Sequence, residues 1–153
     1  MKLKYLVLHC TATPEGREVS AAEIRHWHLS PVAAGGRGWK QVGYTDMIHI
    51  DGMVERLVDN NEDANVDPWE ITNGAEGYNS VSRHVVYSGG VAKDGKTPKD
   101  TRTAAQKTAM ADYVKDFHRR FPDVKIIGHN EVASKACPSF DVQQWLKTIG
   151  INQ

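Results

Sequence analysis

The chain has 153 residues, 40% hydrophobic and 25% charged, the proportions of one ordinary globular domain and not of a disordered or fibrous protein. Nineteen Lys and Arg balance nineteen Asp and Glu, which removes any global electrostatic case for nucleic acid as a partner. No apolar run approaches the roughly 20 residues that span a bilayer, so no membrane partner is expected.

The first residues, Met-Lys-Leu-Lys followed by Tyr5-Leu6-Val7-Leu8, superficially resemble a signal peptide. The apolar stretch is shorter than an h-region of about 7–15 residues, and polar His9 and Thr11 interrupt it. A buried strand over Tyr5–His9 explains it better, and synthesis in the cytoplasm without a signal peptide is the expectation. Cys10 and Cys137 are the two cysteines. They are too few for a disulfide framework.

The element order reads as mixed α/β, with a mixed central sheet flanked by helices in one domain over residues 1–153. The first strand ends near Thr11-Ala12-Thr13-Pro14, because proline has no N–H for a ladder. Ser20 with Glu23 forms a capping box that starts a helix carrying Ile24, Trp27 and His28. Pro31 and the run Gly35-Gly36-Arg37-Gly38 end it in a mobile loop. Tyr44–Ile50 and Val54–Val58 predict two strands joined at Asp51-Gly52, a pair that tolerates the positive φ of tight hairpins.

Residues 59–80 are polar and without period, including Asn60, Asn61, Asn65, Asn73 and Asn79. A loop of that length in a compact domain suggests a functional lid. Arg83–Tyr87 predicts another strand, closed by Gly89-Gly90. Thr103 with Gln106 is a second capping box, and Met110, Tyr113, Val114, Phe117 and Phe121 share one face of the helix behind it, which stops at Pro122. Val124–Ile127 predicts a short strand leading into Gly128-His129. A last helix from about Asp141 carries Val142, Trp145, Leu146 and Ile149 and ends at Gly150.

Among the histidines, position is informative. His9 and His129 each follow a predicted strand, and strand ends in α/β sheets open onto ligand crevices. Cys137 follows His129 closely enough to return to the same crevice. Two imidazoles and a thiolate suit zinc and leave a fourth tetrahedral position open. The competing reading is ordinary: strand-end histidines are often hydrogen-bonded structural groups, and a buried cysteine often behaves as a small hydrophobe. Spacing alone leaves both readings open. His26, His49 and His118 are expected to face solvent, His28 to support the core or the site, and His84 is ambiguous. Strand alternation turns Cys10 to the face opposite His9, making it a poor co-ligand.

Seven segments occur in one order: Leu8-His9-Cys10-Thr11-Ala12-Thr13, Glu23-Ile24-Arg25-His26-Trp27-His28, Val42-Gly43-Tyr44, Ile50-Asp51-Gly52, Gly77-Tyr78-Asn79, Gly128-His129-Asn130-Glu131-Val132 and Ser134-Lys135-Ala136-Cys137-Pro138-Ser139-Phe140-Asp141. Together they resemble the zinc N-acetylmuramoyl-L-alanine amidases of the phage lysozyme and peptidoglycan-recognition type, with Gly128–Asp141 the most specific block. The resemblance implies hydrolysis of the amide joining the lactyl group of N-acetylmuramic acid to L-alanine of the stem peptide. It implies one Zn2+ held by His9, His129 and Cys137, with Tyr44 and Lys135 at the family's catalytic positions and Thr11 and Asn79 as substrate contacts. Zinc lowers the pKa of bound water to about 7 in favourable sites. Lys135 would then face the developing oxyanion, and Tyr44 would hydrogen-bond the water, the oxyanion or the leaving nitrogen. Glu131 is a lesser candidate for an auxiliary base.

Two departures from the family pattern stand out. Many relatives carry a His-Ala pair where this chain reads Gly74-Ala75, and often Asn-Ser-Ile-Gly where it reads Val81-Ser82-Arg83-His84. Both lie beside the expected groove, and neither removes a proposed ligand. The expected substrate is peptidoglycan or a muropeptide, taken by a monomer after release or delivery to the wall. One alternative is a non-hydrolytic muropeptide-binding module, against which Cys137 argues. Another is a structural zinc, which would need a fourth protein ligand from His28 or His84.

Overall fold

The computed structural model describes residues 1–153. Its centre is the first apolar run, Tyr5–Cys10 (β1), buried from Leu6 onward. Such a strand is stable only when covered on both faces and both edges, and β1 has neighbours on either side. Ser82–Tyr87 (here β5) pairs with it in parallel, Val7 opposite His84 and His9 opposite Val86. Lys125–Gly128 (β7) pairs in parallel along the other edge, Leu8 opposite Gly128. Asp46–Ile48 (β3) runs parallel to β5, and Val54–Arg56 (β4) closes the sheet antiparallel to β3. The order is β4-β3-β5-β1-β7, the mixed sheet expected.

Alternation along the strands divides the core. Leu6, Leu8, Cys10, Val85 and Tyr87 pack with Met110, Val114 and Phe117 of the long helix Ala104–Arg120 (α2) and with Val142 and Leu146 of Val142–Thr148 (α3). On the opposite face, Met47 and Val86 pack against Ile24 of Ala21–Leu29 (α1), with Val19 and Val42. Both predicted capping boxes form: Ser20 Oγ accepts from the Glu23 amide at 3.1 Å, and Thr103 Oγ1 from the Gln106 amide at 3.0 Å. Each satisfies backbone donors that a helix start otherwise leaves orphaned. Gly52 adopts φ of 87° in the β3–β4 turn, a conformation that favours glycine.

Two sequence expectations are corrected. Thr13–Pro14 (β2) is not merely the end of β1: it forms a small parallel ladder with Gly90–Val91 (β6), with proline at a sheet edge. The polar stretch 59–80 is not a free lid, because it is fastened at many points. Glu70, buried at 4% exposure, accepts from the amides of Asn61 at 2.8 Å and Asp67 at 3.0 Å. Arg83 donates to the carbonyls of Asp63 and Asn65, and the Met1 ammonium to that of Val66. Short-range periodicity cannot reveal such fastening, since every partner lies in another segment or is an irregular backbone group.

Candidate functional site

Because β1, β5 and β7 are parallel, their C-terminal ends lie at one edge of the sheet, where crevices form. His9 is the penultimate residue of β1, and His129 immediately follows β7. Their rings meet at 60° with centroids 4.7 Å apart. Cys137 returns through the loop after the 310 turn His129–Glu131. Its Sγ lies 3.7 Å from Nδ1 of His9 and accepts the Cys10 amide at 3.2 Å. One donor atom from each of His9, His129 and Cys137 falls within 4.8 Å of the others. Cys10 meets Cys137 through its backbone amide and its thiol, but it is not one of the grouped donors.

The electrostatics suit a cation's ligands. Burial first, then the neighbouring imidazoles His84 and His129 and the Lys135 ammonium, hold the pKa of His9 well below the usual histidine value. His129 is lowered by burial and by Lys135. Both rings are therefore neutral at pH 7, with a lone pair to offer. Contact with the Cys10 thiol and burial push Cys137 up, so it holds its proton until something displaces it. This donor set fits zinc: two neutral nitrogens, one sulfur with an amide already aimed at it, and no fourth protein ligand in the group.

A cleft of about 380 Å³ opens over the group, lined by His9, His129, Tyr44 and Lys135 together with Arg37 and Trp39. Tyr44 stands with its ring 5.2 Å from His9 and 5.3 Å from His28. Burial, reinforced by the two thiols, raises its pKa, so the phenol stays a hydrogen-bond donor at neutral pH. His28 Nδ1 accepts the Gly43 amide at 3.0 Å, fixing the backbone next to Tyr44. Burial and the Arg37 charge lower its pKa to about 4. A second groove of about 370 Å³ lies at the other end of the sheet, between Lys2–Tyr5 and Phe121–Lys125. It brings no His or Cys.

The remaining sequence candidates are placed elsewhere. Thr11 Oγ1 accepts the Gly89 amide at 2.9 Å and bonds Thr13 Oγ1 at 2.7 Å, holding the turn beyond β1 outside the cleft. Asn79 Oδ1 accepts the Ala75 amide at 2.9 Å and borders an adjoining groove with Trp39 and Asn73. Glu131 does not line the cleft, since its carboxylate accepts the Gly128 amide and bonds Gln143. His26 faces solvent as expected, whereas His49 is clamped between Glu18 at 2.9 Å and Glu55 at 2.8 Å, and His118 is half-buried. Neither His28 nor His84 joins the donor group. His84 instead bonds Nε2 of His9 through its Nδ1 at 2.8 Å. That contact was readable only as a strand phase, since His84 and Val86 share a face; Arg37, Trp39 and Glu76 carried no sequence signal of cleft placement.

Comparisons with known proteins agree with this architecture. The family model described as N-acetylmuramoyl-L-alanine amidase matches residues 1–140. The endolysin of Enterobacteria phage K11 is 36% identical over 141 residues, covering 92% of this chain and 83% of the relative. The endolysin of Klebsiella phage KP32 is 34% identical over 140 residues, with coverage of 92% and 83%. Among solved structures, the endolysin of Thermus scotoductus MAT2119 bacteriophage Ph2119 superposes with a TM-score of 0.72 at 24% identity, over 99% of this chain and 87% of the other. With most of its length matched by the family model and by phage endolysins at this identity, the chain belongs to the N-acetylmuramoyl-L-alanine amidases.

Proposed function

We propose that this amidase uses one zinc ion, held by His9, His129 and Cys137, to cut the bond between the lactyl carbonyl of N-acetylmuramic acid and the nitrogen of L-alanine. The observation that carries the reading is the convergence of three donor atoms within 4.8 Å beneath a cleft lined by Tyr44 and Lys135. Zinc bound there supplies a Lewis acid that polarises a carbonyl and makes water nucleophilic near neutral pH. The protein residues supply the rest. Cys137 binds as thiolate, so the site keeps less positive charge than three histidines would leave. The Lys135 ammonium offsets this by facing the oxygen on which negative charge develops. The protonated Tyr44 phenol donates a hydrogen bond to that oxygen or to the departing nitrogen.

His28 holds the Gly43 amide and so sets where Tyr44 stands. The Arg37–Trp39 pair, with the guanidinium 5.0 Å above the indole, forms one wall for the muropeptide. The chain acts as one domain and as a monomer, in the endolysin role of breaking peptidoglycan. No helix is long and apolar enough to cross a membrane.

The test is mass spectrometry of purified peptidoglycan fragments incubated with zinc-loaded protein, beside a chelator-treated control. The expected result is stem peptides with a free L-alanine amino terminus, formed only in the loaded sample. Intact fragments from several stem-peptide types, with zinc loading verified, would refute the reading and leave a muropeptide-binding module.

A further inference from the structure

Gly74 and His84, where the chain departs from the pattern it resembles, stand ten positions apart and meet in the fold. A Cβ placed on Gly74 would lie 2.6 Å from Nδ1 and 2.7 Å from Cγ of His84, and 2.6 Å from the Gly43 carbonyl oxygen. All three distances are shorter than real Cβ contacts. While the His84 ring stands there, position 74 has no room for a side chain. In this chain the glycine at 74 and the imidazole at 84 are thus fitted to each other.

The reason for an imidazole at 84 lies in its hydrogen bonds. His84 is fully buried on the same sheet face as His9, with Nδ1 2.8 Å from His9 Nε2. Its other ring nitrogen, Nε2, is buried with no partner. A leucine could fill this space without an unpaired N–H, so packing does not explain the histidine. The tautomers do. Nδ1 of His9 is the nitrogen that faces Cys137, at 3.7 Å. To offer that lone pair to a metal, His9 must carry its proton on Nε2, where burial demands an acceptor. His84 accepts through Nδ1 only if its own proton sits on Nε2, the atom without a partner. This proton assignment accounts for the contact, and its cost is the unpaired Nε2–H of His84.

We infer that His84 is a positioning residue for the metal ligand His9: it accepts the Nε2 proton, locks the ring with Nδ1 toward the donor group, and occupies space that Gly74 leaves open. The inference rests on the zinc reading above. His84 does not line the cleft.

The test compares the parent with His84→Leu and His84→Asn. Zinc affinity is measured by competition with a chromophoric chelator, the visible spectrum is recorded with cobalt in place of zinc, and metal-free melting is followed by circular dichroism. Asparagine can present Oδ1 near the place of Nδ1 and so retains the acceptor. His84→Leu is expected to bind zinc about 10–100-fold more weakly, as loss of an outer-shell partner does, with an altered cobalt spectrum. His84→Asn is expected to recover most of that affinity. Parent-like affinity in His84→Leu overturns the inference, and so does equal weakening in both variants, which would mark packing. If His84→Leu does not fold, His84→Gln replaces it, because its longer amide overshoots the Nδ1 position: tight Asn with weak Gln supports the inference, and equal weakness refutes it. A parent that binds no zinc would instead refute the metal reading itself, before any variant is compared.

Discussion

The amide of Cys10 donates to Sγ of Cys137 at 3.2 Å, joining the end of the first strand to a loop 127 positions away. The bond aims a backbone dipole at the sulfur, which favours the thiolate that a zinc site requires. It also means that Cys137, the third of the proposed ligands, is held by the sheet and not by its own loop alone.

Removing a ligand should therefore separate metal binding from folding. Cys137→Ala and His9→Ala are each expected to lose stoichiometric zinc, by metal analysis of the purified protein, and to lose activity by more than about 100-fold, beyond the usual effect of an outer-shell change. Full activity in a metal-free variant would disprove the site.

Lys135→Ala should keep its zinc, since the ammonium is no ligand, while turnover falls by roughly 10²-fold or more, as for loss of an oxyanion partner. Tyr44→Phe keeps the ring that packs against His9 and His28, so a comparable fall in kcat with retained zinc would isolate the hydroxyl. Steady-state release of stem peptides beside zinc analysis reads both. An unchanged rate removes the residue from the mechanism.

The buried imidazoles predict how stability follows pH in the metal-free protein. Burial lowers His28 to about 4 and His84 to about 3, against 6.5 for the free side chain. Below pH 6.5 the unfolded chain takes up protons that the folded chain refuses, so stability falls as pH falls. Between pH 6.5 and 5 the loss should be on the order of 2 kcal/mol for each such group. His49, raised despite its burial by its bonds to Glu18 and Glu55, opposes this in part. Urea unfolding at pH 7, 6 and 5 checks the sign, and a flat profile would contradict it.

Tyr87 ties the core to the ligand loop: its hydroxyl, fully buried, donates to the Pro138 carbonyl at 2.7 Å, one residue beyond Cys137. Tyr87→Phe preserves the ring and leaves that carbonyl without its partner. The expected destabilisation is about 1–2 kcal/mol, read by denaturant unfolding, with a modest loss of zinc affinity as the loop loosens. No change in either would show the bond to be idle.

Much of this protein was determined by local sequence. The capping boxes at Ser20 and Thr103, the apolar stripe of α2 and the continuous apolar run of β1 specify elements through hydrogen bonds and packing within a few residues, so they are legible without coordinates. The order of motifs from His9 to Cys137 likewise pointed to the family to which the chain belongs. Tertiary structure alone decided the surroundings of those residues. The contact of His9 with His84 spans 75 positions and exists only because β1 and β5 pair in parallel at one register. Glu70 fastens a stretch that composition describes as loose, since its acceptors find backbone donors that carry no sequence signal. Gly74 carries no sign of its surroundings in the chain, and only the folded sheet reveals that His84 and the Gly43 carbonyl leave no room for a side chain there. Local rules act over one turn or one pleat, whereas the site is set by the register of strands whose partners the sequence does not name.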